Sequence, residues 1–402
     1  MKYTEYLNIP KYVQGRGVLQ EIKRIVYPLG SKYLFLLGCR PIESDVRAAV
    51  EKSFRLPMTD TVTAPEPDRF FIEAEAQAYD AENKEVSYAC LDVEGWQVSP
   101  TNIEKLWAEV ERYAPDVIVA IGGGKTLDIS RCVREKCGCG LVLVPTACAT
   151  NAPGTNLSVI YKDDGSEILE MRCMAKMHDA LLIDPELIIR APARSLAAGI
   201  GDCMATYYEA TVSARANGSI DTASRVQWSV LRETADVLYR CGYKGYCASK
   251  AGHITGDYEF CLEQIAIGSG IPGSAVGAIS VAHIVDEILD GFAPARKMLH
   301  GERVGYGVLP LMVYAGTSLE KIYRYVDFAV SIHIPVTLEQ IGLCGISDEE
   351  LLKNCVRAAS GSMAQFAETA FSPEALLGYI RTADQIVSEY LSISGPQRSQ
   401  IL

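Results

Sequence analysis

The chain has 402 residues, 49% apolar and 22% charged, with a formal net charge of −12. That length exceeds one ordinary core and implies two domains, and an acidic balance without a dense Lys/Arg cluster argues against a nucleic-acid or anionic-membrane surface. No run of about 18 apolar residues occurs and the first residues lack a signal-peptide core, so a cytoplasmic protein without a membrane span is expected.

In chain order, residues 32–38 form an apolar run expected to be a buried strand. Residues 44–54 carry Val46, Ala49, Val50 and Phe54 at helical spacing. Residues 85–93 suit another strand, and Thr101 or Asn102 is the expected cap of a helix ending near Tyr113. The clearest apolar strands are 116–122 and 140–146. This alternation predicts a mostly parallel sheet with helices on both faces. Residues 156–161 and 167–171 flank Asp164-Gly165 and read as a hairpin. From about Ala191 the pattern turns helical, with 195–215, 222–239 and 337–367 expected to be helical in the main. The fold class is therefore α/β, with a parallel-sheet domain over 1–185 and an all-helical domain over 186–402.

Within that pattern, Gly122-Gly123-Gly124-Lys125-Thr126-Leu127-Asp128 follows a strand and opens a helix. Strand, glycine turn and helix form a phosphate-binding layout, because glycines admit an anion to the backbone and first-turn N–H groups point at it. The spacing matches neither GxGxxG nor the P-loop, and a plain tight turn is the competing reading. The thirteen cysteines, spread from Cys39 to Cys355, fit reduced thiols better than a disulfide framework. Cys137-Gly138-Cys139 reads as a turn between helix and strand, since no second pair stands at zinc-site spacing.

Five histidines occur: His178, His253, His283, His300 and His333. His283 lies in an apolar helical stretch, His300 heads His300-Gly301-Glu302, and Asp202 stands at the expected start of a helix among small apolar residues. One carboxylate and two neutral imidazoles suit a divalent cation and leave an open position for a substrate oxygen. The competing reading has Asp202 capping its helix and the histidines as packed or surface residues.

Pro10-Lys11-Tyr12-Val13-Gln14-Gly15, the glycine stretch, Pro145-Thr146, Leu157-Ser158-Val159-Ile160-Tyr161, Ala191-Pro192-Ala193-Arg194, Gly199-Ile200-Gly201-Asp202, Glu209-Ala210, Ala282-His283 and His300-Gly301-Glu302 occur in this order. In these the chain resembles the glycerol dehydrogenase branch of the iron-containing alcohol dehydrogenase superfamily over nearly its whole length. The resemblance implies an N-terminal Rossmann-like domain followed by a helical domain, the dehydroquinate synthase-like fold. It implies Asp202, His283 and His300 as ligands of one divalent metal, zinc in preference to iron. It implies Gly122, Gly123, Gly124, Lys125, Thr126 and Asp128 as the pyrophosphate turn and the helix after it, with Thr146, Thr155, Leu157 and Tyr161 lining the nicotinamide end. The implied activity is an oxidoreductase passing a hydride between NAD and a small polyol or hydroxy-ketone in a cleft between domains. The implied assembly is a homo-oligomer.

The sequence departs from the family in four places. Asn151 replaces an Asp expected near the substrate hydroxyls, so an amide stands where a carboxylate would. Asp286 replaces a histidine one helical turn after His283 and is expected to hold His283, relay a proton or face solvent. Cys39-Arg40 follows the first central strand where a ribose-binding Asp is expected, which raises NADP as the alternative to NAD. Residues 65–83 read as an insertion with a helix over Phe70–Tyr79. Same-fold alternatives are a glycerol-1-phosphate dehydrogenase-like enzyme or cyclase, for which no cationic phosphate cluster is evident. A non-catalytic relative is the remaining alternative, and the complete ligand triad argues against it.

Overall fold

The computed structural model describes residues 8–55, 86–165, 167–216, 222–270, 272–273, 277–367 and 369–393. The expected insertion over 65–83 lies outside them. The chain divides into two compact units. One comprises Asn8–Ala147 and Asn156–Ile188, the other Cys148–Thr155 and the chain from Ile189 onward.

The first unit is built on six strands: β1 (Lys11–Gln14), β2 (Lys32–Gly38), β3 (Ser87–Asp92), β4 (Val117–Gly122), β5 (Gly140–Pro145) and β8 (Ala180–Ile183). They lie in the order β1-β8-β5-β4-β2-β3, all parallel. β2, β4 and β5 are continuous apolar runs because helices cover both their faces. Tyr33, Phe35, Leu37, Val119, Ile121, Val142 and Val144 fill one core with Val46 and Val50 of α1 (Glu43–Arg55). Each fully buried side chain of this kind stabilises the unit by about 1.5–3 kcal/mol. Helix α2 (Pro100–Tyr113) starts two or three residues earlier than its expected caps: Ser99 accepts from the Asn102 N–H, and Pro100 at the first position loses no helical bond. Helix α3 (Gly124–Cys137) follows β4 and stops at Gly138, whose φ of 69° closes the helix.

The expected hairpin is β6 (Leu157–Tyr161) against β7 (Ile168–Cys173), antiparallel, with Gly165 at φ 70° in the turn. Asp128 of α3 anchors it: one carboxylate oxygen accepts the Val159 N–H at 3.2 Å, the other the Arg131 guanidinium at 2.8 Å. Cys137 and Cys139 form a disulfide across the turn between α3 and β5, which corrects the expectation of reduced thiols for this pair. The other cysteines, many of them buried, are free thiols.

The second unit is helical: α4 (Ala193–Ala216), α5 (Thr222–Ala251), α6 (Gly256–Glu263), α7 (Val281–Asp290), α8 (His300–Tyr314), α9 (Leu319–Ser331), α10 (Asp348–Ala358) and α11 (Pro373–Ser392). α5 runs beyond the expected end because its glycines sit at packed crossings; a Cβ on Gly245 would meet Cys261 Sγ of α6 at 2.6 Å. The helix expected over 337–367 is broken instead. Gly342, at φ 86°, ends a single turn at Leu338–Ile341, and a reciprocal Ser347–Glu350 cap starts α10 afresh. No helix among the described residues is long and apolar enough to cross a membrane.

Three helices of this unit cross at backbone distance. A Cβ on Gly201 of α4 would stand 2.4 Å from the Gly301 carbonyl of α8, and one on Gly307 of α8 would stand 2.5 Å from the Ala282 carbonyl of α7. Real Cβ atoms do not approach so closely, so only glycine lets α8 lie against both neighbours. Those two crossings set the positions of Asp202, His283 and His300, each one or seven residues away in sequence.

Candidate metal centre and cofactor turn

Residues 202, 206 and 209 of α4 fall on one helical face, and α7 and α8 present His283, Asp286, His300 and Arg303 towards it. Asp202 is 2% exposed and lies well inside α4, which excludes the reading that it caps a helix. Its Oδ2 accepts the backbone N–H of Asn151 at 2.8 Å. Its Oδ1 has no hydrogen-bond partner among the described residues, yet lies 3.9 Å from Nε2 of both His283 and His300. The three candidate ligand atoms lie within 4.8 Å of one another. A buried carboxylate oxygen without a partner is costly. A divalent cation at the common focus would satisfy it with three protein ligands and leave an open position, so these residues fit such an ion.

Each imidazole is held from behind by a carboxylate. His283 Nδ1 lies 2.5 Å from Glu209 Oε2, while Glu209 Oε1 accepts the backbone N–H groups of Ser280 at 2.7 Å and His283 at 3.0 Å. Burial alone would push the His283 imidazole down, but the carboxylates of Glu209, Asp202 and Asp286 together outweigh it and raise the value to about 9. His300 Nδ1 lies 3.0 Å from Asp286 Oδ2, and the Arg303 Nε–H donates to Asp286 Oδ1 at 2.5 Å. Burial opposes ionisation of Asp286, yet His300 and Arg303 hold its carboxyl well below the usual range. For His300, burial pulls downward, and Asp286 with Asp202 outweighs it, raising the imidazole.

Asp286 was expected to hold His283, relay a proton or face solvent. It holds His300, because the side of His283 that could meet a carboxylate is turned to α4, where Glu209 already stands. Glu209 and Arg303 carry no role in the sequence reading. The spacing of Glu209, seven residues after Asp202, was the available signal, since seven residues are two helical turns on one face. Asn151 lies against the cluster. Its Nδ2 donates to Thr206 Oγ1 at 3.0 Å, and the Thr206 hydroxyl donates its single proton to the Asp202 carbonyl at 3.0 Å. Thr206 can therefore only accept from Asn151, which fixes the amide orientation. Glu302 accepts the Leu299 N–H at 2.8 Å and is gripped by Arg194, which holds His300 at the first position of α8.

The residues expected around the cofactor lie mostly in the sheet unit. β2 and β4 are adjacent although β3 separates them in sequence, so their carboxyl ends mark the switch point where open α/β sheets bind ligands. Gly38 and Gly122 pair there. Thr126 packs over both, and a Cβ on Gly122 would meet its Oγ1 at 2.6 Å. Gly123 and Gly124 differ: open space surrounds the place of a Cβ at each, and Gly123 has an ordinary φ of −79°. Neither packing nor conformation demands glycine at these two positions, whereas a closely approaching ligand would. The N–H groups of Gly124 and Lys125, in the first turn of α3, have no helical carbonyl to bond. The residues therefore fit a phosphate-bearing cofactor. Thr146 follows β5 and donates its N–H to the Gly122 carbonyl at 3.0 Å. Leu157 and Tyr161 begin and end β6, while Thr155 is buried in the helical unit. Arg40 pairs with Asp92 at 3.2 Å, and its N–H donates to Glu94 at 3.2 Å.

The iron-containing alcohol dehydrogenase profile matches residues 80–185. The glycerol dehydrogenase of Thermotoga maritima is 34% identical over 267 residues, covering 66% of this chain and 72% of the relative. That of Citrobacter freundii is 30% identical over 300 residues, covering 74% and 82%. The crystal structure of glycerol dehydrogenase from Schizosaccharomyces pombe superposes with a TM-score of 0.81 at 24% identity, over 97% of this chain and 92% of that one. This last likeness concerns the fold.

Proposed function

Given that the chain belongs to the iron-containing alcohol dehydrogenase family, we propose that it passes a hydride between a nicotinamide cofactor and a small polyol or hydroxy-ketone. The observation that carries this reading is the buried Asp202 Oδ1, left without a hydrogen bond and faced by two imidazole nitrogens at 3.9 Å. Asp202, His283 and His300 would hold one divalent cation, zinc in preference to iron. When bound, the cation supplies Lewis acidity towards an alcohol or carbonyl oxygen and the nicotinamide supplies the hydride acceptor. Gly123, Gly124 and the first-turn N–H groups of α3 would bind the pyrophosphate, with Lys125 and Thr126 positioning the cofactor and Asp128 tying its helix to the hairpin. Thr146, Thr155, Leu157 and Tyr161 would line the nicotinamide end. The acidic neighbours of Arg40 favour NAD, because Asp92 and Glu94 would repel a 2′-phosphate.

At the substrate end, Asn151 donates one amide N–H to Thr206 and keeps its carbonyl oxygen as the acceptor for a substrate hydroxyl. It contributes no charge and takes no proton. Asp286, salt-bridged to Arg303, orients His300. A homo-oligomer is the proposed assembly, to be measured by light scattering. The activity is tested by a hydride-transfer screen with zinc-loaded protein, NAD or NADP, and glycerol, propanediols and dihydroxyacetone. Turnover with NAD on at least one of these is expected. Absence of hydride transfer across the whole panel with metal bound would refute the proposed substrate class.

A further inference from the structure

The two histidines are backed differently, and the difference has a consequence for the metal. Resting on the metal reading above, we infer that Glu209 and Asp286 are positioning residues that set which ring nitrogen of His283 and His300 carries the proton, and that the two do so with unequal force. A histidine can ligate through Nε2 only when its proton sits on Nδ1. Glu209 enforces this on His283 without an alternative. One of its oxygens already accepts two backbone N–H groups, from Ser280 and His283, and the other faces His283 Nδ1. All three neighbours are then donors, and only a carboxylate accepts from all of them. Its side chain is fully buried, so no water can take over either job.

An amide at this position would have to choose. With its NH2 towards the two backbone N–H groups it meets two donors. With its NH2 towards His283 it makes Nδ1 the acceptor and sends the ring proton to Nε2. That N–H would then point at Asp202 Oδ1, the oxygen meant for the cation. Glu209→Gln therefore closes the site electronically while changing almost no volume.

Asp286 is less constrained. It faces two donors, His300 Nδ1 and Arg303 Nε, with one oxygen each. The His300 side chain is 32% exposed, against 11% for His283. Asp286→Asn sets up the same conflict, but Arg303 is the cause of it. With Arg303 present, an amide oxygen drawn to the guanidinium leaves NH2 for His300 and the wrong tautomer. With Arg303 gone, the amide is free to turn its oxygen to His300. The geometry thus predicts that a second substitution rescues the first.

The test is zinc affinity by chelator competition on full-length protein, with the visible absorption of the cobalt-loaded form as a second readout. Glu209→Gln is expected to weaken zinc binding by about 100-fold and Asp286→Asn by about 10-fold, the range that loss of such outer partners spans. Arg303→Met alone is expected to stay within severalfold of wild type. The pair Asp286→Asn with Arg303→Met is expected to bind zinc more tightly than Asp286→Asn alone and to recover the wild-type cobalt spectrum. A merely structural role gives additive losses in the pair, and that result would overturn the inference. So would equal, small effects of Glu209→Gln and Asp286→Asn. If Glu209→Gln does not fold, the Asp286 and Arg303 variants decide alone. Wild-type protein that binds no zinc overturns the metal reading itself, which is a different result from wild type that binds zinc and variants that bind it equally well.

Discussion

The carboxylate–imidazole cluster of the helical unit is made of side chains whose own hydrogen bonds leave one anionic oxygen over. The glycine turn of the sheet unit is made of backbone from which side chains are missing. At the first, the carboxylates are committed except for Asp202 Oδ1: Asp202 Oδ2 to Asn151, Glu209 to His283, Asp286 to His300. At the second, two glycines face open space. One place selects a small hard charge by what it leaves unpaired; the other admits a larger anion by what it leaves out. The cluster depends on three helices crossing at fixed distances, whereas the turn depends on a strand and the helix directly after it. The two should therefore fail in different ways.

The largest expected effect is at the cluster. His283→Ala removes a ligand, not only its outer support, and should weaken zinc binding by more than about 100-fold. Chelator competition measures it, and retention of wild-type affinity would mean that the imidazole does not ligate. Gly201→Ala tests whether the crossing itself builds the cluster. A methyl 2.4 Å from the Gly301 carbonyl forces α4 and α8 apart, which should cost about 1–3 kcal/mol in denaturant unfolding and loosen zinc binding with it. Unchanged stability would show that the helices are free to shift.

At the turn, the opposite pattern is expected. Gly123→Val adds a side chain in open space at an ordinary extended φ, so thermal stability should hold while the NAD dissociation constant rises roughly 10- to 100-fold, about 1.4–2.8 kcal/mol of lost contact. Equal NAD affinity in the variant would reduce the turn to a bend. The smallest effect concerns His178 of the sheet unit, which is 2% exposed and whose ring nitrogens have no hydrogen-bond partner among the described residues. Burial, then Arg131 and Arg134, push it well below the ordinary 6.5. The unfolded chain therefore binds this proton more readily than the folded one. Stability should be complete above pH 6.5 and fall by about 1.4 kcal/mol per unit as pH drops below it. His178→Leu should flatten that slope in urea unfolding measured at several pH values. An unaltered slope would assign the acid sensitivity to other groups.

How much of this was legible in the sequence follows the same division. Local order reads well: the apolar runs became β2, β4 and β5, the Asp-Gly dipeptide became a hairpin turn, and the glycine stretch stands between a strand and a helix. Chemistry spread along the chain reads only as residue types. Asp202, His283 and His300 stand out as metal-ligating types, but their meeting depends on glycine crossings whose angles leave no mark in a one-dimensional pattern. Asp202 was expected at a helix start among small apolar residues, Gly199 and Gly201 among them. Those glycines serve packing inside α4 instead. Asp286 was recognised as unusual, with His283, a proton relay or solvent as its readings; its contact with His300 was not among them, since which face of α7 meets α4 and which meets α8 is a property of the packing. Glu209 went without a role for the same reason, although its spacing from Asp202 was there to be read.

The most direct test of the central claim is metal stoichiometry. Protein stripped with a chelator, incubated with zinc and freed of excess should hold one ion per chain by elemental analysis, and the Asp202→Ala protein none. A wild-type chain that retains no divalent metal would contradict the account of Asp202, His283 and His300 as a metal centre.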